Sequence, residues 1–68
     1  MKELRNRFDK DAQFDDLAKA KKYYMPNQEA LEYAEEIANA ETLEELADVL
    51  NRYSDIYGDG SEFYVYEF

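Results

Sequence analysis

A chain of 68 residues with no cysteine and no histidine is one domain at most, and it lacks disulfides and the commonest metal ligands and general base. Its net charge of −9 repels nucleic acid and anionic membranes and attracts basic protein surfaces. No apolar run resembles a signal peptide or a bilayer-spanning segment of ~18 residues. We therefore expect a cytoplasmic protein that is not an enzyme, needs no cofactor or metal, contacts no membrane and no nucleic acid directly, and binds a protein partner.

The first predicted helix covers residues 11–25. Lys21 interrupts its apolar stripe, and Pro26 ends the helix because proline disfavours helical geometry in the preceding residue. The apolar side chains that recur at helical spacing are Phe14, Leu17, Ala18, Tyr24 and Met25.

A second helix is predicted over residues 28–40, with Asn27 as its N-cap. Its small inner residues indicate close packing against a neighbouring helix. The apolar stripe comprises Ala30, Leu31, Ala34, Ile37 and Ala38. The opposite face carries Glu29, Glu32, Glu35, Glu36 and Asn39.

The third predicted helix begins with a capping box, in which Thr42 and Glu45 satisfy free backbone amides reciprocally. It ends near Tyr57, before Gly58. One face is formed by Leu43, Leu46, Ala47, Leu50, Tyr53 and Tyr57. Val49 and Ile56 widen that face, so the helix either touches two neighbours or has an exposed apolar edge.

Residues 58–61 form a loop by composition, and the aromatic, β-branched segment 62–68 predicts a strand. The fold class is therefore mainly α: three short helices with a C-terminal strand, a small α+β protein. The strand needs a partner. Three partners remain open: residues 2–8 of the same chain, the same strand of a second copy in a homodimer, or the sheet edge of another protein.

Both faces of this strand are apolar, with Phe63 and Val65 on one side and Tyr64, Tyr66 and Phe68 on the other. If the strand pairs with residues 2–8, then Leu4 and Phe8 share a face. That pairing also brings Arg5 and Arg7 near Glu62 and Glu67. We expect the uncovered tyrosine side to meet a second copy or the partner.

Two chemical sites are considered and rejected. A calcium loop that starts at Asp55 has Tyr57 and Tyr66 where an EF-hand needs an acidic or amide side chain and a bidentate glutamate. Glu32 and Glu36 lie on the polar face of a short helix, with little room for the enclosed pocket that carboxylate catalysis requires.

Acidic rows on the helices are the main functional signal. One row is Glu29, Glu32 and Glu36, and the other is Glu44, Asp48, Asn51 and Asp55. Like charges at this spacing cost a few tenths of a kcal/mol per pair. Residues 1–25 have a net charge of +2 and residues 26–68 of −11, with Arg52 as the one base in the second segment. The repulsion is thus expected to be uncompensated.

A nucleic-acid backbone has similarly regular negative charges, so we expect these rows to occupy the site of a basic, nucleic-acid-binding protein. Tyrosines at the margin, among them Tyr23, would add contact area. The candidate partner-binding residues are Glu29, Glu32, Glu36, Glu44, Asp48, Asp55, Tyr33, Tyr64 and Tyr66.

In size and charge alone the chain resembles the small acidic inhibitors that phages and mobile elements make against host nucleases, the DNA-mimic anti-restriction and anti-CRISPR proteins. No family motif carries the resemblance, so it implies no residue roles. The alternative function is an assembly module that acts through the C-terminal strand, by dimerisation or by β-augmentation.

Overall fold

The computed structural model describes residues 1–26, 30–57 and 60–68, which contain three strands and three helices. In chain order these are β1 (Lys2–Asn6), β2 (Asp9–Phe14), α1 (Leu17–Tyr24), α2 (Leu31–Asn39), α3 (Leu43–Tyr57) and β3 (Phe63–Glu67). The prediction of a mainly α fold is wrong. The chain is an α+β protein with a three-stranded antiparallel sheet, because the segments on both sides of Arg7 and Phe8 pair as a hairpin.

The sheet has the order β2-β1-β3, so the N-terminal strand is central. Leu4 lies opposite Phe14 of β2 and opposite Val65 of β3. The predicted C-terminal strand is therefore confirmed, as is its pairing with the N-terminal segment. The β1–β2 register shifts between Arg5 and Asn6, which marks a bulge or irregularity beside the hairpin turn.

The first predicted helix starts too early, because residues 11–14 belong to β2 and α1 begins at Leu17. Buried Ala12 and half-buried Phe14 alternate with exposed neighbours, which is the period of a strand. Asp16 then caps α1, because its Oδ1 accepts a hydrogen bond of 2.9 Å from the Ala18 amide. The predicted end is confirmed: Met25 has extended geometry before Pro26.

The second predicted helix starts too early, since α2 begins at Leu31 after Ala30, which makes no side-chain cap. The predicted cap, Asn27, lies outside the described residues. Ile37 is fully buried as predicted, whereas Leu31 is 73% exposed and Ala38 is also exposed. The inner face is thus centred on Ile37.

The third predicted helix is confirmed in position, and Leu46, Ala47 and Leu50 of its predicted inner face are buried. The side chain of Tyr57, also predicted on that face, lies outside the described residues. Thr42 Oγ1 accepts a hydrogen bond of 3.1 Å from the Glu45 amide. Glu45 Oε2 accepts one of 2.8 Å from the amide of Glu41, one residue before the capping-box partner. The predicted stop at Gly58 lies outside the described residues.

The helices cover one face of the sheet. α3 packs against β1 and β3, α1 packs against β2, and α2 contacts both other helices. The largest fully buried side chains are Leu4, Ile37, Leu46 and Leu50. Burying each such side chain contributes about 1.5–3 kcal/mol to folding. Phe8, predicted to share the face of Leu4, is instead 69% exposed in the turn.

Within the described residues, no helix is long and apolar enough to cross a bilayer.

Candidate functional site

The packing of α2 on α3 brings two acidic helices side by side. Tyr33 of α2 stacks on Tyr53 of α3 with ring centroids 4.8 Å apart. Ile37 is buried in the common core, and residues 40–42 join the helices. A short connection and these cross-contacts make the helices antiparallel neighbours, so carboxylates on both line the space between them.

That space is a groove of about 320 Å³, which we call the acidic groove. Its walls carry Glu36 and Asn39 from α2, and Glu45, Asp48 and Arg52 from α3. Buried Ala40 and Val49 form its floor. Val49 thus confirms that α3 touches a second neighbour, while Ile56, 67% exposed, provides the apolar edge.

Among the predicted acids that the structure describes, Glu36 makes the most hydrogen bonds. One carboxylate oxygen accepts a hydrogen bond of 2.6 Å from Arg52, and the other accepts a short one from the Tyr53 hydroxyl. The bond to Glu36, then burial and the nearby Glu32 and Glu36 charges, raise the pKa of Tyr53 to about 12. The Glu36 carboxylate therefore joins α2 to α3 and is not free for a partner.

Glu44 is also neutralised within the chain. Lys2 Nζ lies 2.6 Å from Glu44 Oε2, and both side chains are half exposed. The hydrogen bond between them lowers the pKa of Glu44 and raises the pKa of Lys2. The neighbouring Asn51 bonds the backbone of Phe63. The predicted row along α3 is therefore divided, with Glu44 and Asn51 turned toward the sheet.

The prediction that the helix acids lack internal partners is wrong at Glu36 and Glu44. It holds for Glu32, Asp48 and Asp55, which make no ion pair with any described residue. Glu29 lies outside the described residues. Across α2, α3 and their connection, the carboxylates without an ion pair among described residues are Glu32, Glu35, Glu41, Glu45, Asp48 and Asp55.

The two helical tyrosines predicted at the margin differ in environment. Tyr33 is half-buried in the stack with Tyr53, and burial raises its pKa. Tyr23 is 61% exposed, with its ring 4.9 Å from those of Phe14 and Tyr24. Of the two, only Tyr23 offers much free surface.

Tyr64 and Tyr66 lie on the opposite side of the molecule from the acidic groove. Phe63 and Val65 pack against the core, so strand alternation turns Tyr64 and Tyr66 to the open sheet face, where they are 43% and 45% exposed. The structure does not bring them together with the acids. The predicted site residues therefore occupy two separate surfaces.

Arginine and aromatic side chains share that open face. Arg5 lies 4.1 Å above the ring of Tyr66 and 2.8 Å from Glu3, so its ion pair is not with either of the predicted acids, Glu62 and Glu67. The predicted pairing of Arg7 with Glu62 is confirmed at 3.0 Å. These contacts hold the guanidinium groups close to the sheet.

A second cavity, of about 360 Å³, lies where the β1–β2 turn meets β3. It is lined by Arg5, Asn6, Arg7, Asp9, Lys10, Gln13 and Tyr64. Its lining holds three cations and one carboxylate, and two of those cations, Arg5 and Arg7, are paired with Glu3 and Glu62 outside the lining. Sequence reasoning missed it because it assigned part of β2 to a helix.

Comparison with protein-family models, curated proteins and solved structures found no match for this chain. The function must therefore be argued from these surfaces. In the described residues, no group of His, Cys, Asp or Glu has the arrangement of a metal site. What the acidic groove offers is negative charge, hydrogen-bond acceptors and a small apolar floor.

Sequence reasoning missed Glu45 and the groove floor. Glu45 was assigned only to helix capping, although it both caps α3 and lines the groove. The packing of α2 on α3 brings Ala40 and Val49 to the same groove, and no helical period in the sequence relates the two positions. The one available signal was Val49, whose lateral position on α3 indicated a second neighbour.

Proposed function

We propose that this protein is a non-enzymatic binding protein whose α2–α3 surface occupies the nucleic-acid site of a basic protein. The main support is the concentration, on two adjacent helices, of carboxylates that form no ion pair with any described residue. The one base in that half of the chain, Arg52, is held by Glu36. A field of this sign attracts basic surfaces and speeds association with them.

The spacing of the charges supports this function. Asp48 and Asp55 are two helical turns apart, about 10.5 Å along the axis at 1.5 Å per residue. Carboxylates on two adjacent helices can meet lysines and arginines that, in the partner, contact the phosphates of both strands of a nucleic acid.

The distribution of bases supports it too. α1 carries Lys19, Lys21 and Lys22 and no acid, and Lys21 donates a hydrogen bond of 2.9 Å to the Ala38 carbonyl at the end of α2. The basic residues lie largely on α1 and the β1–β2 hairpin, and Arg52 is the one base among the described residues that line the acidic groove. Segregation of charge gives the molecule one strongly negative side.

The decisive experiment recovers a binding protein from nuclease-treated lysate with the tagged chain and then measures the purified complex. The proposal expects binding to weaken steadily as salt rises from ~0.05 to ~0.5 M, and duplex DNA or RNA to displace the chain. Substitution of Glu32, Asp48 and Asp55 together by Lys should abolish binding. These three carboxylates have no ion pair among described residues, so the fold is spared.

The matched control substitutes Asp11, Asp15 and Glu67 by Lys, which changes net charge equally on other surfaces. It should retain most of the affinity. Equal losses in both triple variants, or a complex that nucleic acid does not displace, would rule out occupation of a nucleic-acid site by this surface.

The second candidate is an assembly module that uses the open sheet face. It is favoured by the partial exposure of Tyr64, Tyr66 and Phe68 beside Arg5. Binding through that face would be insensitive to salt, and it would survive the acidic triple substitution but not Tyr66→Ala. The same experiment therefore separates the two candidates.

A further inference from the structure

β3 is an edge strand, and its backbone groups alternate in direction. The Arg7 amide donates to the Glu62 carbonyl at 2.8 Å, so Glu62 faces β1. At the other end, the Phe68 amide donates to the Met1 carbonyl at 2.8 Å. In an antiparallel ladder the backbone N–H and C=O groups of alternate residues point to opposite sides. Those of the odd-numbered residues between Glu62 and Phe68 therefore point away from β1. The residues facing the free edge are Phe63, Val65 and Glu67.

The edge is occupied at Phe63 by a side chain from α3. Asn51 Nδ2 donates to the Phe63 carbonyl and Asn51 Oδ1 accepts from the Phe63 amide, both at 2.8 Å. A carboxamide presents one donor and one acceptor side by side, as an adjacent strand would. Among the described residues, nothing bonds the outward backbone groups of Val65 and Glu67.

We propose that Asn51 closes the free edge of β3 and prevents a second copy of this chain from extending the sheet there. The partner would be a second copy because β3 is self-complementary about Val65. In a two-fold antiparallel arrangement, Val65 opposes Val65 of the other copy and Phe63 opposes Glu67. Each of the three opposed pairs (two Phe63–Glu67 pairs and one Val65–Val65 pair) then exchanges about two hydrogen bonds, roughly six in total.

With Asn51 in place, both Phe63–Glu67 pairs are blocked. Only the central Val65 pair remains, about two hydrogen bonds. An uncovered aromatic edge strand is a template for association, and natural proteins protect such edges with charge or by covering them. Contacts of β3 with other proteins are thereby restricted to its open face. This inference is independent of the proposed acidic-groove function.

The test is Asn51→Ala in the full chain, with mass in solution measured over a concentration series. Wild type should remain a monomer, and Asn51→Ala should form a dimer of twice the mass. Asn39→Ala is the matched control, because Asn39 is an exposed helical asparagine that makes no hydrogen bond to β3. It should remain a monomer.

A rescue identifies the surface responsible. A chain of 68 residues is accessible to chemical synthesis, so Asn51→Ala can be made with an N-methyl group on Val65. This removes the outward donor of Val65 and keeps its side chain, and it should restore the monomer. An Asn51→Ala protein that stays monomeric throughout, or a dimer that survives N-methylation, would overturn the proposal.

Hydrogen exchange on the wild-type protein gives a readout that does not depend on any variant. Of the three outward amides, only that of Phe63 is bonded by a described residue, so it should exchange more slowly than those of Val65 and Glu67. The expected ratio is roughly 2- to 12-fold, the factor that corresponds to one ordinary net hydrogen bond. Equal protection of the three amides would contradict an edge closed at Phe63 alone.

Discussion

The guanidinium of Arg52 lies 2.6 Å from the carboxylate of Glu36 and connects α3 to α2 across the acidic groove. Arg52 is the one base in residues 26–68. Its position has two opposite effects: it stabilises the helix pair, and it reduces the negative charge that the groove presents to a basic partner.

Arg52→Ala should therefore separate stability from binding. Arg52 is 59% exposed, so loss of the pair should reduce the free energy of unfolding by only about 0.2–1 kcal/mol. Partner affinity should rise, because the groove gains net negative charge. Arg7→Ala is the control, since it breaks the exposed pair with Glu62 far from the groove. Urea unfolding and titration of the partner give both quantities, and equal affinity changes would contradict the assignment of the groove.

The start of α3 should respond in a graded way to three substitutions. Thr42→Ala removes the hydroxyl that caps Glu45 and should cost about 1 kcal/mol. Leu46→Ala and Leu50→Ala should each cost about 2–5 kcal/mol, because both side chains are fully buried. Asp48→Ala, on the exposed side of the same helix, is the control. Equal, small losses in urea unfolding for all three would show that α3 does not anchor the core.

Tyr24→Phe should leave stability unchanged or raise it. The Tyr24 hydroxyl is buried and has no hydrogen-bond partner among the described residues. An unsatisfied buried polar group costs about 1–3 kcal/mol of stability. Removing this hydroxyl breaks no hydrogen bond with a described residue. The ring contacts with Phe14 and Phe63 are kept in Phe. Thermal unfolding measures the change, and a loss of more than ~1 kcal/mol would mean that the hydroxyl has a partner.

Stability should fall at alkaline pH because two tyrosines have raised pKa values. Burial raises the pKa of Tyr24 to about 12, and the hydrogen bond to Glu36 raises that of Tyr53 to about 12. Both are neutral acids that hold their proton more tightly when folded than at the unfolded value near 10. Their contribution is complete below pH ~10 and is lost as pH rises from ~10 to ~12.

The measurement is unfolding free energy against pH, with the ultraviolet absorbance of tyrosinate followed in parallel. Tyr53→Phe should make the alkaline decline shallower, as should Tyr24→Phe. Tyr23→Phe is the control on a tyrosine that is mostly exposed. Identical alkaline slopes in wild type and in both test variants would contradict the raised pKa values.

Deletion of Tyr64–Phe68 should unfold the protein. Val65 packs against the core and lies opposite buried Leu4 of β1. Glu67 lies opposite Lys2, which is also on β1. Loss of these residues removes the Val65 side chain from the core and leaves β1 without one of its two neighbouring strands. Circular dichroism and thermal unfolding report the outcome, with Phe68→Ala as a control at an exposed end. A truncated chain that remains folded would show that the tail adds little to the core.

Local signals were enough to predict α3, β3 and the end of α1. The hydroxyl of Thr42, the helical period from Leu43 onward and the geometry imposed by Pro26 act within a few residues. Pairing of the N- and C-terminal segments was also predictable as one of three alternatives, because a strand must satisfy its backbone groups. The same reasoning failed at residues 11–14, where a helical stripe competed with a strand alternation.

The sequence by itself determined the charge asymmetry, the absence of cysteine and histidine, and the capped third helix. Tertiary structure decided which carboxylates remain free. Glu36 and Arg52 are 16 residues apart, and Lys2 and Glu44 are 42 apart. No helical or strand period relates residues at such separations, because only packing of one element on another brings their charges together. For the same reason, the role of Asn51 at the edge of β3 became visible only once α3 lay beside the strand.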